Sequence, residues 1–155
     1  DRLVQALKFH GRLALASFFA EALRSLLDPR SAEPVDVVIP MPLHPERIAE
    51  RGFNQAAEIA RHLTGRIGAK KMQARLALQG ASRIRSTLPQ TDLPFAARAR
   101  NVRGAFACAL DLRGARVAVV DDVMTTGATL GELAKVLKRA GAARVENWVV
   151  TRTLD

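Results

Sequence analysis

The sequence predicts an α/β domain built on a mainly parallel central sheet flanked by helices. Three observations carry this expectation. Short β-branched runs, "VDVVI", "RVAVVDD" and "RVENWVVTR", alternate with segments whose apolar residues recur at helical spacing. The first of these runs is short, β-branched and apolar apart from Asp36, as expected of a buried strand. The length of 155 residues suits one core, and no internal repeat, linker or low-complexity tract divides it, so residues 1–155 are read as a single domain.

Residues 2–27 form an N-terminal helical segment, clearest at Leu15, Phe19, Ala22, Leu23 and Leu26, with Gly11 a break near its start and "DPR" its end. "VDVVI" at 35–39 is a buried strand stopped by "PMPLHP", whose three prolines forbid regular pairing, so a loop follows. Ala56, Ile59, Ala60 and Leu63 repeat at i, i+3, i+4 and i+7, giving a helix capped by Asn54 and closed by Gly65 and Gly68. "MQARLAL" is a weaker strand candidate. The span 82–103 has little apolar pattern apart from a short helix near 93–101. "GAFACAL", "RVAVVDD" and "RVENWVVTR" are the remaining strands, the last two separated by a helix through Leu130, Leu133, Ala134 and Leu137 that Gly141 ends.

Charge narrows the partners. Lys plus Arg total 24 against 15 acids, a net +9, which suits an anionic ligand, either nucleic acid or a small polyphosphate. Five arginines (83, 85, 98, 100 and 103) and one acid, Asp92, fall within 83–103, making that segment a candidate phosphate-facing loop. No apolar run is long enough to cross a bilayer, so no membrane insertion is expected. The single cysteine, Cys108, excludes an internal disulfide and a cysteine-rich zinc site, and fits a reduced, cytoplasmic setting. The chain opens with Asp1, as a fragment of a longer protein would.

The stretch "VAVVDDVMTTGATL" at 117–130 carries the chemistry. Its strand delivers Asp121 and Asp122 to a carboxyl end, where ligands of open parallel sheets bind. In the loop that follows, Gly127 lets the backbone approach a phosphate closely. Successive N–H groups and the dipole of the next helix favour an anion, and Thr125, Thr126 and Thr129 add hydroxyls. Two carboxylates beside a phosphate repel it unless they face something else. A ribose resolves this, because its 2- and 3-hydroxyls donate to carboxylates while its 5-phosphate sits in the loop. The spacing is neither a P-loop nor the Gly-x-Gly-x-x-Gly of a dinucleotide fold. Taken singly, the acids could bind a metal and the threonines could merely cap a helix; the ordered combination favours the sugar phosphate.

At this point the sequence resembles a known family. "VAVVDDVMTTGAT" is similar to the phosphoribosyl diphosphate (PRPP) signature of type I phosphoribosyltransferases. "QALKFHGR", "PMPLHPERIAERGFNQA" and "STLPQTDLPFAARARNVRGAF" are similar to blocks of one branch, the ComF family of competence-associated proteins, and together these cover most of the chain. The resemblance implies a type I phosphoribosyltransferase-like fold with a small hood or flexible-loop region at about 82–103. It also implies transfer of a 5-phosphoribosyl group with pyrophosphate release, in association with natural competence and DNA uptake. Members commonly carry an N-terminal four-cysteine zinc module, which one cysteine cannot supply, so no zinc is expected in this chain.

By the same resemblance, Asp121 and Asp122 contact the ribose hydroxyls, and Thr125, Thr126, Gly127, Ala128 and Thr129 hold the 5-phosphate. The loop 40–44, with Pro42, Leu43 and His44, lies where such enzymes bind pyrophosphate. Arg47 and Arg51 are candidates there on charge alone, against the alternative of ordinary helix-surface arginines. Asn54 and Gln55 either position substrate or only cap. Arg85, Gln90, Arg98 and Asn101 match the block ascribed to the flexible loop, and Lys8 matches near the start. Phe53, Phe106 and Trp148 are assigned to packing. Mg²⁺ is implied with PRPP, bridging diphosphate and ribose oxygens, with no direct protein metal site. The competing reading is a non-enzymatic PRPP-, nucleotide- and single-stranded-DNA-binding accessory protein, with competence proteins as partners. With only 5% aromatic residues and no tyrosine, DNA contact of that kind would be electrostatic rather than stacked.

Overall fold

A computed structural model describes residues 3, 7, 14–27, 34–65, 74–87 and 94–153 of the chain. Its main sheet has four parallel strands in the order β2, β1, β5, β6: β1 is Val37–Pro40, β2 Arg75–Leu76, β5 Arg116–Met124 and β6 Arg144–Arg152. A second, two-stranded antiparallel sheet pairs β3, Ala81–Arg83, with β4, Phe106–Cys108. The helices are α1 Ala14–Leu26, α2 Pro45–Arg51, α3 Gln55–Thr64, α4 Phe95–Val102 and α5 Ala128–Arg139. The parallel α/β expectation is borne out, and "RVENWVVTR" coincides with β6.

Strand alternation splits the core in two. Val37, Ile39, Val117 and Val119 meet Leu130, Leu133 and Leu137 of α5 on one face of the sheet. Val38, Ala118 and Val120 meet Ile59, Ala60 and Leu63 of α3, with Ala16, Phe19, Ala20 and Leu23 of α1, on the other. Burying each such branched or aromatic side chain contributes roughly 1.5–3 kcal/mol. At the amino edge, Asp36 accepts from the Arg116 backbone N–H at 2.8 Å and pairs with its guanidinium at 3.2 Å, fixing β1 against β5.

The α3 connection leaves β1 on one face and the α5 connection leaves β5 on the opposite face. The chain therefore reverses its winding between adjacent strands β1 and β5, and the carboxyl ends of these two strands form the crevice where doubly wound sheets bind ligands.

Four differences from expectation have physical reasons. The buried stripe of α1 is Ala16, Phe19, Ala20 and Leu23, while Ala22 is exposed and Leu26 is 80% exposed: two alanines let α1 lie close to α3, and the larger Leu26 is left outside. The loop expected after the prolines contains α2, which starts on Pro45 and ends at Gly52; it buries no residue, so no apolar period announced it. Strand β3 is too short for alternation to register. Finally, β5 runs past both acids to Met124 instead of ending at them.

Candidate functional site

Strand β1 stops at Pro40, opposite Val120, while β5 continues through Asp121 to Met124 paired only with β6 among the described residues. Beyond Pro40, the Met41 N–H still reaches the Val120 carbonyl at 2.8 Å, and Asn54 donates from Nδ2 to the Met41 carbonyl at 3.0 Å. The other end of the same amide, Oδ1, accepts from Ala57 N–H at 3.2 Å, so Asn54 caps α3 as expected and also ties down the loop after β1.

Because β5 remains a strand through both acids, their side chains point to opposite faces. Asp121 shares the face of Val117 and Val119, and its charge acts on Arg83 of β3. Asp122 shares the face of Ala118 and Val120. Both are buried, at 9% and 2% exposure. Asp121 Oδ1 accepts from the Asp122 N–H and Asp122 Oδ1 from the Val123 N–H, each at 2.9 Å. The expectation of two acids presented together at a strand tip is thus modified: they flank the crevice from the two sides of the sheet.

The loop after β5 has the form expected for an anion cradle. Thr125, Thr126, Gly127, Ala128 and Thr129 are all partly exposed. Gly127 stands at the N-cap of α5 with φ +74°, a left-handed conformation open to glycine, and no side chain caps the helix there. Thr126 Oγ1 accepts from the Ala128 N–H at 3.3 Å. The first turn of α5, which follows β5 through this loop, carries no acid of its own to offset the helix dipole.

Across the crevice, Pro42 is buried and Leu43 and His44 partly so. His44 Nδ1 lies 3.2 Å from Glu46 Oε2, close enough for electrostatic contact but not aligned for a hydrogen bond. Arg47 is exposed and paired with Glu50 on its own helix, while Arg51 donates to buried Gln55 at 2.8 Å, which assigns Gln55 a structural partner. Arg98 and Asn101 lie one turn apart on α4 and share a face. Gln90 and Lys8 fall outside the described residues. Phe106, Trp148 and Phe53 pack in the two cores, as expected.

Two residues at the site were not singled out by pattern. Arg83 stands opposite Phe106 in the β3–β4 pair, with its guanidinium 5.4 Å from the ring centroid, and donates to Thr87 Oγ1. Its Nε is buried without a hydrogen-bond partner. Burial holds Arg83 below its ordinary range; Asp121 opposes this shift, and Arg47 and Arg85 reinforce it. Around Arg83 two further arginines thus act against one carboxylate, an excess of positive charge that an anion would relieve.

The second is Glu132 on α5, 8% exposed, which accepts from the Gly104 N–H at 2.9 Å and from Lys135 Nζ at 3.3 Å. The Gly104 bond above all holds its carboxyl below the ordinary 4.5, outweighing the opposing effect of burial. A depressed folded value means the stabilisation is complete above about 4.5 and is lost as pH falls through that lower value. Melting curves of the wild type and Glu132→Gln should therefore differ most near neutrality and converge in acid; a gap that ignores pH would contradict the assignment.

Together, a winding reversal between β1 and β5 and an uncapped helix start preceded by glycine and threonines define a doubly wound α/β protein with a candidate anion-binding crevice. Residues 48–153, more than half of the chain, match the phosphoribosyl transferase domain family, and the chain belongs to that family. It is 36% identical over 156 residues to the DNA utilization protein YhgH of Salmonella typhimurium, covering 98% of this chain and 66% of that one. It is 29% identical over 157 residues to competence protein F of Haemophilus influenzae, covering 97% and 66% respectively. The chain thus spans about 66% of the length of these relatives. The fold is shared with the solved Trypanosoma cruzi hypoxanthine phosphoribosyl transferase, at TM-score 0.50 and 13% identity over 92% of this chain and 74% of that one. Among the described residues, no helix is long and apolar enough to cross a membrane.

Proposed function

We propose that the chain binds PRPP and transfers its 5-phosphoribosyl group with release of pyrophosphate. The observation that carries this reading is that one switch point holds the Gly127 helix start and Asp121, whose charge acts on Arg83. The 5-phosphate takes the amides and hydroxyls of Thr125, Thr126, Gly127, Ala128 and Thr129. Asp121 and Asp122 accept from the ribose hydroxyls, one from each side of the sheet; at 2% exposure Asp122 reaches the sugar only if the side chains around it open. Pyrophosphate leaves toward Pro42, Leu43, His44, Arg47 and Arg51, with Arg83 and Arg85 adding charge. The described parts of 82–103, carrying Arg85, Arg98 and Asn101, form the hood.

Departure of pyrophosphate from the anomeric carbon leaves an oxocarbenium-like centre, so the protein's task is positioning and stabilising negative charge on the leaving group. Among the described residues no group of three or more His, Cys, Asp or Glu side chains could hold a metal. The carboxylates present fit a Mg²⁺ brought by the diphosphate and completed by water, which would neutralise the leaving group when bound. The experiment is to incubate the protein with PRPP, Mg²⁺ and a panel of acceptors and follow pyrophosphate. Turnover identifies a transferase; saturable binding without turnover removes the transfer step and leaves a PRPP-binding module; absence of binding removes the reading altogether.

The net charge of +9 and the names of the relatives favour a second reading, in which the basic face also contacts single-stranded DNA alongside competence proteins. Such contacts are to phosphates, so single-stranded oligonucleotide affinity should fall by about three hundredfold or more between roughly 50 and 200 mM salt if six or more phosphates are engaged. Salt-insensitive binding would exclude it.

A further inference from the structure

One peptide plane at the site is held from both ends. The carbonyl of Arg103 accepts from Arg85 Nη2 at 2.7 Å, and the N–H of Gly104, which belongs to the same amide, donates to Glu132 Oε1 at 2.9 Å. Arg85 Nη2 also donates to the Asn101 carbonyl at 2.8 Å, so it grips the end of α4. A peptide unit is rigid and planar, so what fixes its nitrogen end also fixes its oxygen end. A cation on the oxygen and an anion on the N–H polarise the amide in the same sense, and each bond strengthens the other.

The sequence serves this plane locally. Gly104 has φ +66°, and a Cβ built there meets nothing within 4 Å, so glycine is needed for backbone conformation and not for room. Lys135 takes Oε2 of Glu132 and leaves Oε1 to the amide. Glu132 lies on the second turn of α5, the helix launched by the threonine loop, whereas Arg85 follows β3. The only described link of this kind between them is the Arg103–Gly104 peptide.

We infer that Glu132 is a positioning residue: through the Arg103–Gly104 peptide it sets where Arg85 stands relative to the phosphate-binding start of α5. The inference rests on the PRPP reading above. It makes the placement of one arginine depend on an acid that touches no ligand, and it couples the two halves of the site by hydrogen bonds alone.

A double-mutant cycle tests it. PRPP with Mg²⁺ is titrated calorimetrically into the wild type, Arg85→Ala, Glu132→Leu, Glu132→Gln and the double variant Arg85→Ala/Glu132→Leu, each first shown to be folded by its melting curve. Glu132→Leu should weaken binding about tenfold, the scale of one charge-assisted hydrogen bond. Glu132→Gln, which keeps an acceptor oxygen, should restore most of it. On the Arg85→Ala background the leucine substitution should add no further loss. Fully additive losses, or wild-type affinity in Glu132→Leu, would overturn the assignment; if the leucine variant does not fold, hydrogen exchange of the Gly104 amide in Arg85→Ala decides in its place. Should the wild type itself not bind PRPP, the ligand reading fails on its own, and hydrogen exchange of the Gly104 amide decides the clamp. Faster exchange in both Glu132→Gln and Arg85→Ala sustains it, and unchanged exchange in Arg85→Ala rejects it.

Discussion

Asp121→Asn is expected to weaken PRPP binding by about ten- to a hundredfold, the value of a hydrogen bond to a charged acceptor. The substitution preserves shape and leaves Oδ1 able to accept from the Asp122 N–H, so it removes charge rather than structure. It also deprives half-buried Arg83 of the one negative group that offsets its burial, which lowers the melting point modestly. Asp122→Asn acts in the same direction on affinity, but it removes a carboxylate that is 2% exposed on the other face. Calorimetric titration alongside melting curves separates these effects. Unchanged affinity in both variants would reject the ribose role of the pair. A loss confined to Asp121→Asn would confine the sugar to the face that carries Arg83 and the arginine-rich segment.

What could be read from the residues, and what could not, divides along range. The strands "VDVVI" and "RVENWVVTR" and the helices at 54–64 and 128–139 were legible because each buries an apolar face whose period is written locally. The phosphate loop was legible because its chemistry lies in consecutive residues. Helix α2 was not, since it buries nothing, and neither was β3, which is three residues long and pairs with a strand 23 residues further on. Glu132 was invisible for a related reason. The stripe of Leu130, Leu133 and Leu137 turns position 132 toward solvent on a helical wheel, and only the return of Gly104, 28 residues earlier in the chain, buries it. Arg83 was counted within a basic run, but its distinction from the other arginines depends on Phe106 across the small sheet and on Asp121 across the crevice. The opposite orientation of the two acids followed from β5 continuing beyond them, which pairing with β6 enforces and the acids alone do not.

Two glycines four residues apart on α5 should respond to alanine with opposite signs. Gly131 lies inside the helix, exposed, with open space where a Cβ would go, so Gly131→Ala removes the conformational freedom of glycine from the unfolded chain. It should stabilise by about 0.5–1 kcal/mol, raising the melting point by roughly 2 °C in a domain of this size, with PRPP affinity unchanged. Gly127 also has room, its nearest neighbour being Met124 Sδ at 3.7 Å, but its φ of +74° is one that alanine occupies at a cost of about 1–2 kcal/mol. The chain can relieve that strain only by turning φ negative, which swings the amide planes at the start of α5 away from their present directions. Gly127→Ala should therefore lose both stability and affinity, and the affinity loss should extend to inorganic phosphate as the smallest probe of the loop. A variant that melts lower yet binds phosphate and PRPP as the wild type does would show that Gly127 serves only to start the helix, and the 5-phosphate would have to be placed elsewhere.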